Sequence, residues 1–161
     1  MAVDMFLKIA GVEGEAKDDA HKNEIDVLEW NWGLEQPGSG HTGGGAGTGK
    51  VTVRDVSVRK YVDKSTPDLM LACCNGKHFN EAKLTVRKAG ENPLEYLVVT
   101  MNDVLITGVH TGGTSNGNER LSETITLNFA KVKVDYAEQT ATGGKGATPK
   151  MGWDIEANKK L

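Results

Sequence analysis

Cysteine is nearly absent from this 161-residue chain, and the two that occur, Cys73 and Cys74, are neighbours. Adjacent residues of a helix point apart, so this pair cannot close a relaxed disulfide, and a disulfide-stapled scaffold is excluded. Both are expected as small apolar core residues. A basic block is missing as well. With 19 Lys and Arg against 22 Asp and Glu, a net charge of −3, the chain has no electrostatic footprint for nucleic acid. It also lacks an apolar run long enough to span a bilayer. The N-terminus MAVDMFLKIAGVEGE puts Asp4 where a secretory leader needs positive charge and follows it with acidic residues, so neither membrane insertion nor a signal peptide is expected. On these signals the chain is cytoplasmic.

Catalytic patterns are equally scarce. His21, His41, His78 and His110 fall one to a segment with no second His or Cys at metal-ligand spacing, and each is expected on a solvated loop or strand end. Asp18 and Asp19 sit in the charged run EGEAKDDAHKNE, which is expected to be an exposed connection between the first two strands. Ser115 lacks the strand-turn-helix setting of a nucleophile elbow. No enzyme, metal site or cofactor follows from these residues.

The stretch GGGAGTGKVT, Gly43 to Thr52, comes close to a phosphate-binding loop, with Gly44 followed after four residues by Gly49-Lys50. The next residue is Val51, which has no hydroxyl for a magnesium ion, and VTVRDVSV alternates as a strand instead of opening a helix. Nucleotide binding is therefore rejected in favour of an inter-strand loop. Seven of the twelve residues from Gly38 to Gly49 are glycine, so ordering the loop costs much entropy and is expected on contact with another molecule. Lys50 is expected to anchor its base.

What the chain does have is strands. DMFLKIA, EIDVLEWNWGL, KVTVRDVSV, EAKLTVRKA, LEYLVVTM, VLITGVH and ETITLNFAKVKVDY alternate and are rich in Val, Ile and Thr. Met101-Asn102-Asp103-Val104 is expected as a tight hairpin. STPDLMLACCNG is expected as the one helix, with Thr66 as cap, Pro67 at the first position and Asn75-Gly76 as the stop. Its middle is apolar all round, so burial on most sides is expected, against the barrel or a neighbouring subunit. Three segments switch apolar parity midway: at Val27-Leu28, at Arg54-Asp55 and at Ala130-Lys131. Strands that swap faces turn the corners of a small barrel through bulges, or bury one half against a neighbour. The fold expected is all-β, a single domain over 1–161: a small closed β-barrel with one short flanking α-helix and extended inter-strand loops. Trp30 and Trp32 share a face with Leu28 and Leu34 and are expected to pack in the core, which turns Glu29, Asn31 and Gly33 to the other face.

WNWGLEQPGSGHTGGGAGTGKV, VRKYVDKSTPDLMLACCNGKH, AKLTVRKAG, ETITLNFAKVKVDY and the terminal GWDIEAN together closely resemble the hemolysin-coregulated proteins (Hcp) of bacterial type VI secretion, from Met1 to about Asn158. The resemblance implies hexameric rings that stack into the inner tube of a contractile machine. It also implies partners in the sheath, the spike and small effectors carried in the lumen, and export from the bacterial cytoplasm without a cleaved signal. On that footing Glu29 and Asn31 are expected to face the lumen and contact effectors. Gly43, Gly44, Gly45, Ala46, Gly47 and Thr48 are expected to form the ring-stacking loop. The alternative from the residues alone is a monomeric β-barrel ligand-binding module with the tryptophan pair as a stacking platform.

Overall fold

The computed structural model describes residues 2–38, 49–117 and 120–161. Eleven strands and one helix run along the described chain. They are β1 (Val3–Ile9), β2 (Ile25–Asn31), β3 (Leu34–Glu35), β4 (Thr52–Val53), β5 (Val56–Tyr61), α1 (Thr66–Asn75), β6 (His78–Lys88), β7 (Leu94–Gly112), β8 (Ser122–Asn128), β9 (Lys131–Tyr136), β10 (Lys150–Asp154) and β11 (Lys159–Lys160). Six of the strands close a barrel in the order β6-β1-β2-β5-β8-β7, the β7–β8 pairing completing the circle. This is the all-β barrel with one short helix that the alternation leads one to expect. β9, β10 and β11 extend the sheet outside the barrel from the first half of β7, and β3 and β4 form a separate two-stranded ribbon.

The parity switches find three physical outlets. In β2 the register against β5 shifts between Val27 and Glu29, a bulge at Leu28 that lets Ile25 and Val27 bury fully while Trp30 packs half-buried against the same core. The other two switches are ends of strands: β4 gives way to β5 at Arg54-Asp55, and β8 to β9 at Phe129-Ala130. Apart from Lys60 on β5 and Glu123 on β8, the interior parity of the barrel strands is apolar, with Leu7, Ile9, Ile25, Val56, Val58, Leu84, Val99, Met101, Ile106, Ile125 and Leu127 at or near zero exposure. At about 25 cal/mol per Å2 of apolar surface removed from water, that interior is the main favourable contribution to the fold.

The expected hairpin at residues 101–104 does not form. β7 continues through it for 19 residues, and Asp103 adopts φ 54° as a bend within the strand. Asp tolerates that left-handed conformation, and the bend moves the inward parity from Leu97, Val99 and Met101 to Val104 and Ile106. It also marks an exchange of partners. β7 pairs with β9 over 97–102 and with β8 over 105–112, while β6 lines its other edge over 94–105.

The helix forms where expected, but Ser65 is the N-cap residue, without a side-chain cap bond, and Thr66 starts the helix with Pro67 behind it. Gly76 closes it at φ 68°, its N–H donating to the Ala72 carbonyl. The helix is buried on one face only. Leu69 and Ala72 are covered, whereas Leu71 is 62% exposed and Cys73 and Cys74 are exposed, so the cysteines are not core residues in this chain. An apolar stretch of this length fills all sides of a helix, but one barrel supplies only one surface to cover it.

Residues 10–24 do not form a simple solvated loop. They fold back along the outside of β1 and β6, with Val12, Gly14, Ala16 and His21 buried. His21 is 7% exposed, against the solvated position expected for it: its ring stacks on Phe6 at 4.3 Å, and its two nitrogens lie 2.9 Å from Glu24 Oε2 and 2.7 Å from Glu95 Oε1. Beside it Arg87 donates to both oxygens of Asp18, at 3.0 and 2.5 Å, and to Asp4 at 3.2 Å. The acidic run is thus consumed in fixing a strap across half of one barrel wall. His78 and His110 are exposed, as expected.

Candidate functional site

Glu29 and Asn31 lie on the outward parity of β2, both exposed. The strand register carries each of them into a row that crosses four strands. Asn31 stands opposite Ser57 on β5, Ser57 opposite Thr126 on β8, and Thr126 opposite Gly108 on β7. One step along, Glu29 stands opposite Arg59, Arg59 opposite Thr124, and Thr124 opposite His110. The result is one continuous wall of short hydroxyls, an amide, an imidazole and a single exposed ion pair, Arg59 to Glu29 at 3.9 Å. Such a pair in solvent contributes little to stability.

Below the rows, Asp55 at the start of β5 accepts from Thr107 at 2.7 Å and from Asn128 at 2.9 Å, and Thr107 and Thr126 share a hydrogen bond at 2.9 Å. These bonds fix the lower edge of the wall. A Cβ on Gly108 would stand 2.8 Å from Thr126 Oγ1 and 3.3 Å from His110 Nε2, so the absence of a side chain there lets the two neighbours close over the β7–β8 bulge. The wall offers donors and acceptors in equal measure and little net charge, which suits weak, varied contacts with polar protein surfaces.

The tryptophans are otherwise engaged. Trp30 and Trp32 pack against the core, Trp32 meets Phe129 edge-on at 6.1 Å, and its Nε1 donates to the Arg54 carbonyl at 2.8 Å. Neither ring lies free as a stacking platform, and the barrel interior is filled by side chains, so a ligand-binding barrel gains no support. Among the described residues no three His, Cys, Asp or Glu side chains gather at metal-binding distance.

The residues Gly43, Gly44, Gly45, Ala46, Gly47 and Thr48 lie outside the described residues. Their attachment is described: Leu34 pairs with Val53 and Glu35 with Thr52, so the segment leaves and returns on the β3–β4 ribbon. A Cβ on Gly49 would stand 2.6 Å from Pro37 Cγ, which brings the two roots side by side. Lys50 is exposed at that root. A mainly apolar groove runs beside it, lined by Leu34, Val51, Met151 and Trp153 with Gln36, Gly49 and Asn158, and the Trp153 Nε1 is buried and without a partner among the described residues.

Sequence reasoning placed Glu29 and Asn31 on the outward face of their strand but did not anticipate that register sets Ser57, Arg59, Thr124, Thr126 and His110 beside them. The signal was present in the outward parity of VSVRKY and SETITLN, which is as regularly polar as the inward parity is apolar.

Residues 6–136 match the family described as type VI secretion system effector, Hcp. The chain belongs to the Hcp family. It is 59% identical to protein hcp1 of Pseudomonas aeruginosa over 160 residues, 98% of each chain. The crystal structure of Hcp1 from Salmonella typhimurium superposes with a TM-score of 0.82 at 42% identity and full coverage of both chains. That of a type VI secretion system effector from Yersinia pestis does so at 0.76 and 36% identity, over 94% of this chain and all of the other. As an Hcp protein the chain is a type VI secretion system protein. Among the described residues no helix is long and apolar enough to cross a membrane.

Proposed function

We propose that six copies of this chain close into a ring, that rings stack into the inner tube of a type VI machine, and that the wall of Glu29 and Asn31 faces the lumen and holds small effectors during export. The observation that carries this reading is the four-strand polar wall itself. A surface so uniform in register, free of apolar side chains and nearly neutral, suits a passage that must hold several polar cargoes and let them go. Repetition around a closed ring adds avidity to contacts that are weak singly.

Self-association has its own support. Leu34, Leu71 and Met151 are each at least 40% exposed, and the apolar helix has only one face covered. Identical neighbours in a closed head-to-tail arrangement would cover such surface without leaving an open edge. The loop from Gly43 to Thr48, whose attachment is the β3–β4 ribbon, is proposed to reach the next ring. Sheath and spike are the further partners on this reading, and export needs no cleaved leader.

Light scattering of the purified protein is expected to give a mass of six chains; a monomer at micromolar concentration would overturn the ring. Deleting Gly43 to Thr48 is expected to leave rings and stop tube growth, and tubes from the shortened protein would remove the stacking role. Replacing Asn31 with Arg is expected to leave rings intact and to lose co-purifying effector. Unchanged cargo retention in intact rings would place the effector contact elsewhere.

A further inference from the structure

Two of the asparagines stand directly before a glycine, as Asn75-Gly76 and Asn116-Gly117. Glycine has no side chain to shield its own backbone nitrogen or to restrict the chain, so such a pair leaves the asparagine amide open to attack by the main chain that follows it. The fold puts the two pairs in opposite circumstances. Asn75 is the last residue of α1, and Gly76 caps it at φ 68°. The Gly76 N–H donates to the Ala72 carbonyl at 2.9 Å, and Asn75 Oδ1 accepts the Lys77 N–H at 2.9 Å. Both groups that would have to react are held in the cap.

Asn116 lies in the connection between β7 and β8, where residues 113–117 are all exposed. The β7–β8 ladder stops at Gly112 and Ser122, so no ladder bond fixes the chain between them. Among the described residues Asn116 is tied through its backbone alone, its N–H donating to Thr114 Oγ1 at 3.1 Å. The Gly117 N–H makes one turn bond, to the Thr114 carbonyl at 3.2 Å. The amide and the nitrogen behind it can therefore meet without disturbing a helix or a sheet.

We propose that Asn116 is a site of spontaneous deamidation, an intramolecular reaction whose only co-reactant is water. The Gly117 nitrogen gives up its proton to hydroxide and attacks Asn116 Cγ. A bond forms between them and closes a five-membered succinimide, while the Cγ–Nδ2 bond breaks and the side-chain nitrogen leaves as ammonia. Water then opens the ring. Opening at Cγ leaves aspartate, opening at the main-chain carbonyl leaves isoaspartate, and in both the Gly117 nitrogen regains a proton. One water is consumed, one ammonia is released, and nothing is oxidised or reduced.

The product has a defined place in the fold. Gly112 and Ser122 continue by one step the rows of Gly108 with Thr126 and His110 with Thr124, so the loop stands at the end of the polar wall. Each converted subunit gains a carboxylate there and lowers the net charge of −3 by one. In a wall whose one ion pair is exposed, the added charge makes aged protein repel acidic surfaces at that end more than newly made protein does. The site is exposed on the single subunit, so the inference does not rest on assembly.

Purified protein is aged at neutral pH and body temperature in ordinary water and in water enriched in heavy oxygen, then digested at acid pH. Mass spectrometry with chromatographic separation of aspartate from isoaspartate reads both asparagines, and ion exchange reads the charge of the intact chain. Asn116 is expected to convert at least about ten-fold faster than Asn75, whose reaction must wait for the helix cap to open. Its products are expected to carry one heavy oxygen per conversion, with isoaspartate among them. The variant N116Q, whose longer side chain closes a ring far more slowly, is expected to show no early acidic species, and aged parent is expected to melt with fresh parent. An unchanged Asn116, an Asn75 that converts as fast, products without heavy oxygen, or N116Q turning acidic at the parent's rate would each overturn the proposal. Aged parent that melts lower than fresh parent would overturn the claim that the loop takes either product without disturbing the sheet.

Discussion

Lys60 and Glu123 meet inside the barrel, Nζ 2.5 Å from Oε2, with both side chains fully buried. They come from the inward parity of β5 and β8, where every other residue on that parity is apolar. Thr66 at the start of α1 donates to the same carboxylate oxygen at 2.7 Å, and Asp63 lies 3.1 Å from the ammonium. The pair therefore ties the helix to the seam where the barrel closes.

Removing one partner of this pair leaves a buried charge alone. Lys60→Met is expected to destabilise the chain by about 3–5 kcal/mol, whereas Lys60→Met with Glu123→Leu recovers most of the loss by replacing both charges with apolar volume. Urea unfolding at one fixed protein concentration measures both, since association shifts apparent stability. Equal losses in the single and double variants would show that the helix attachment, not the charge, is what matters there.

The strap gives a pH signature through Asp18. The hydrogen bonds from the Arg87 guanidinium hold its carboxyl well below the usual carboxylate range, at about 2. A depressed folded-state value means stability that is present above the unfolded value, about 3.9, and lost as pH falls through the folded one. Asp18→Asn is thus expected to melt below the parent at neutral pH, with the two melting curves drawing together between about pH 4 and pH 2. A gap that stayed constant over that range would assign the effect to shape instead of charge.

Gly14 is fixed by close approach. A Cβ there would stand 2.8 Å from both the Glu24 carbonyl carbon and the Ile25 Cα, and nearer still to the Glu24 carbonyl oxygen. All three are backbone atoms held by bonds from Gly14 to Asn23 and from Ala16 to Glu24. Gly14→Ala is expected to cost about 1–3 kcal/mol, the range for overpacking, and to loosen the strap before the barrel. Hydrogen exchange is the sharper measurement, because amides of residues 16–24 should lose protection while those of β8 keep theirs.

Gly108→Val tests the polar wall without adding charge. The new side chain must displace Thr126 and His110, and the expected effect is altered cargo retention with only a modest fall in melting temperature, read by co-purification and by thermal scans.

Much of this architecture was legible in the sequence because alternation reports burial directly. Val56, Val58, Ile125 and Leu127 could be assigned to the interior from their parity alone, and the switches of parity located the bulge at Leu28 and two strand ends. What was not legible depends on residues far apart in the chain. Asp103 carries the positive φ of a turn, but whether the chain reverses there depends on β9 and β8 taking successive places beside it. His21 looks like a solvated histidine until Phe6 and Glu95 arrive to enclose it. Cys73 and Cys74 look like core residues because their segment is apolar, yet a lone barrel has no second surface for the helix. The polar wall was half visible: Asn31 was found on its own strand, but Thr126 and His110 join it only through register.

The late closing of the barrel has a consequence for synthesis. β5 ends at Tyr61, and β8, its partner on the open side, begins only at Ser122. For some sixty residues of translation the growing chain offers an unpaired strand edge and a half-covered interior to everything around the ribosome, at a stage when such edges seed aggregation. Efficient production in the cell thus calls for a holding chaperone or a fast ribosome over that interval, and slow codons placed before residue 122 should lower the yield of native protein more than the same codons placed after residue 128.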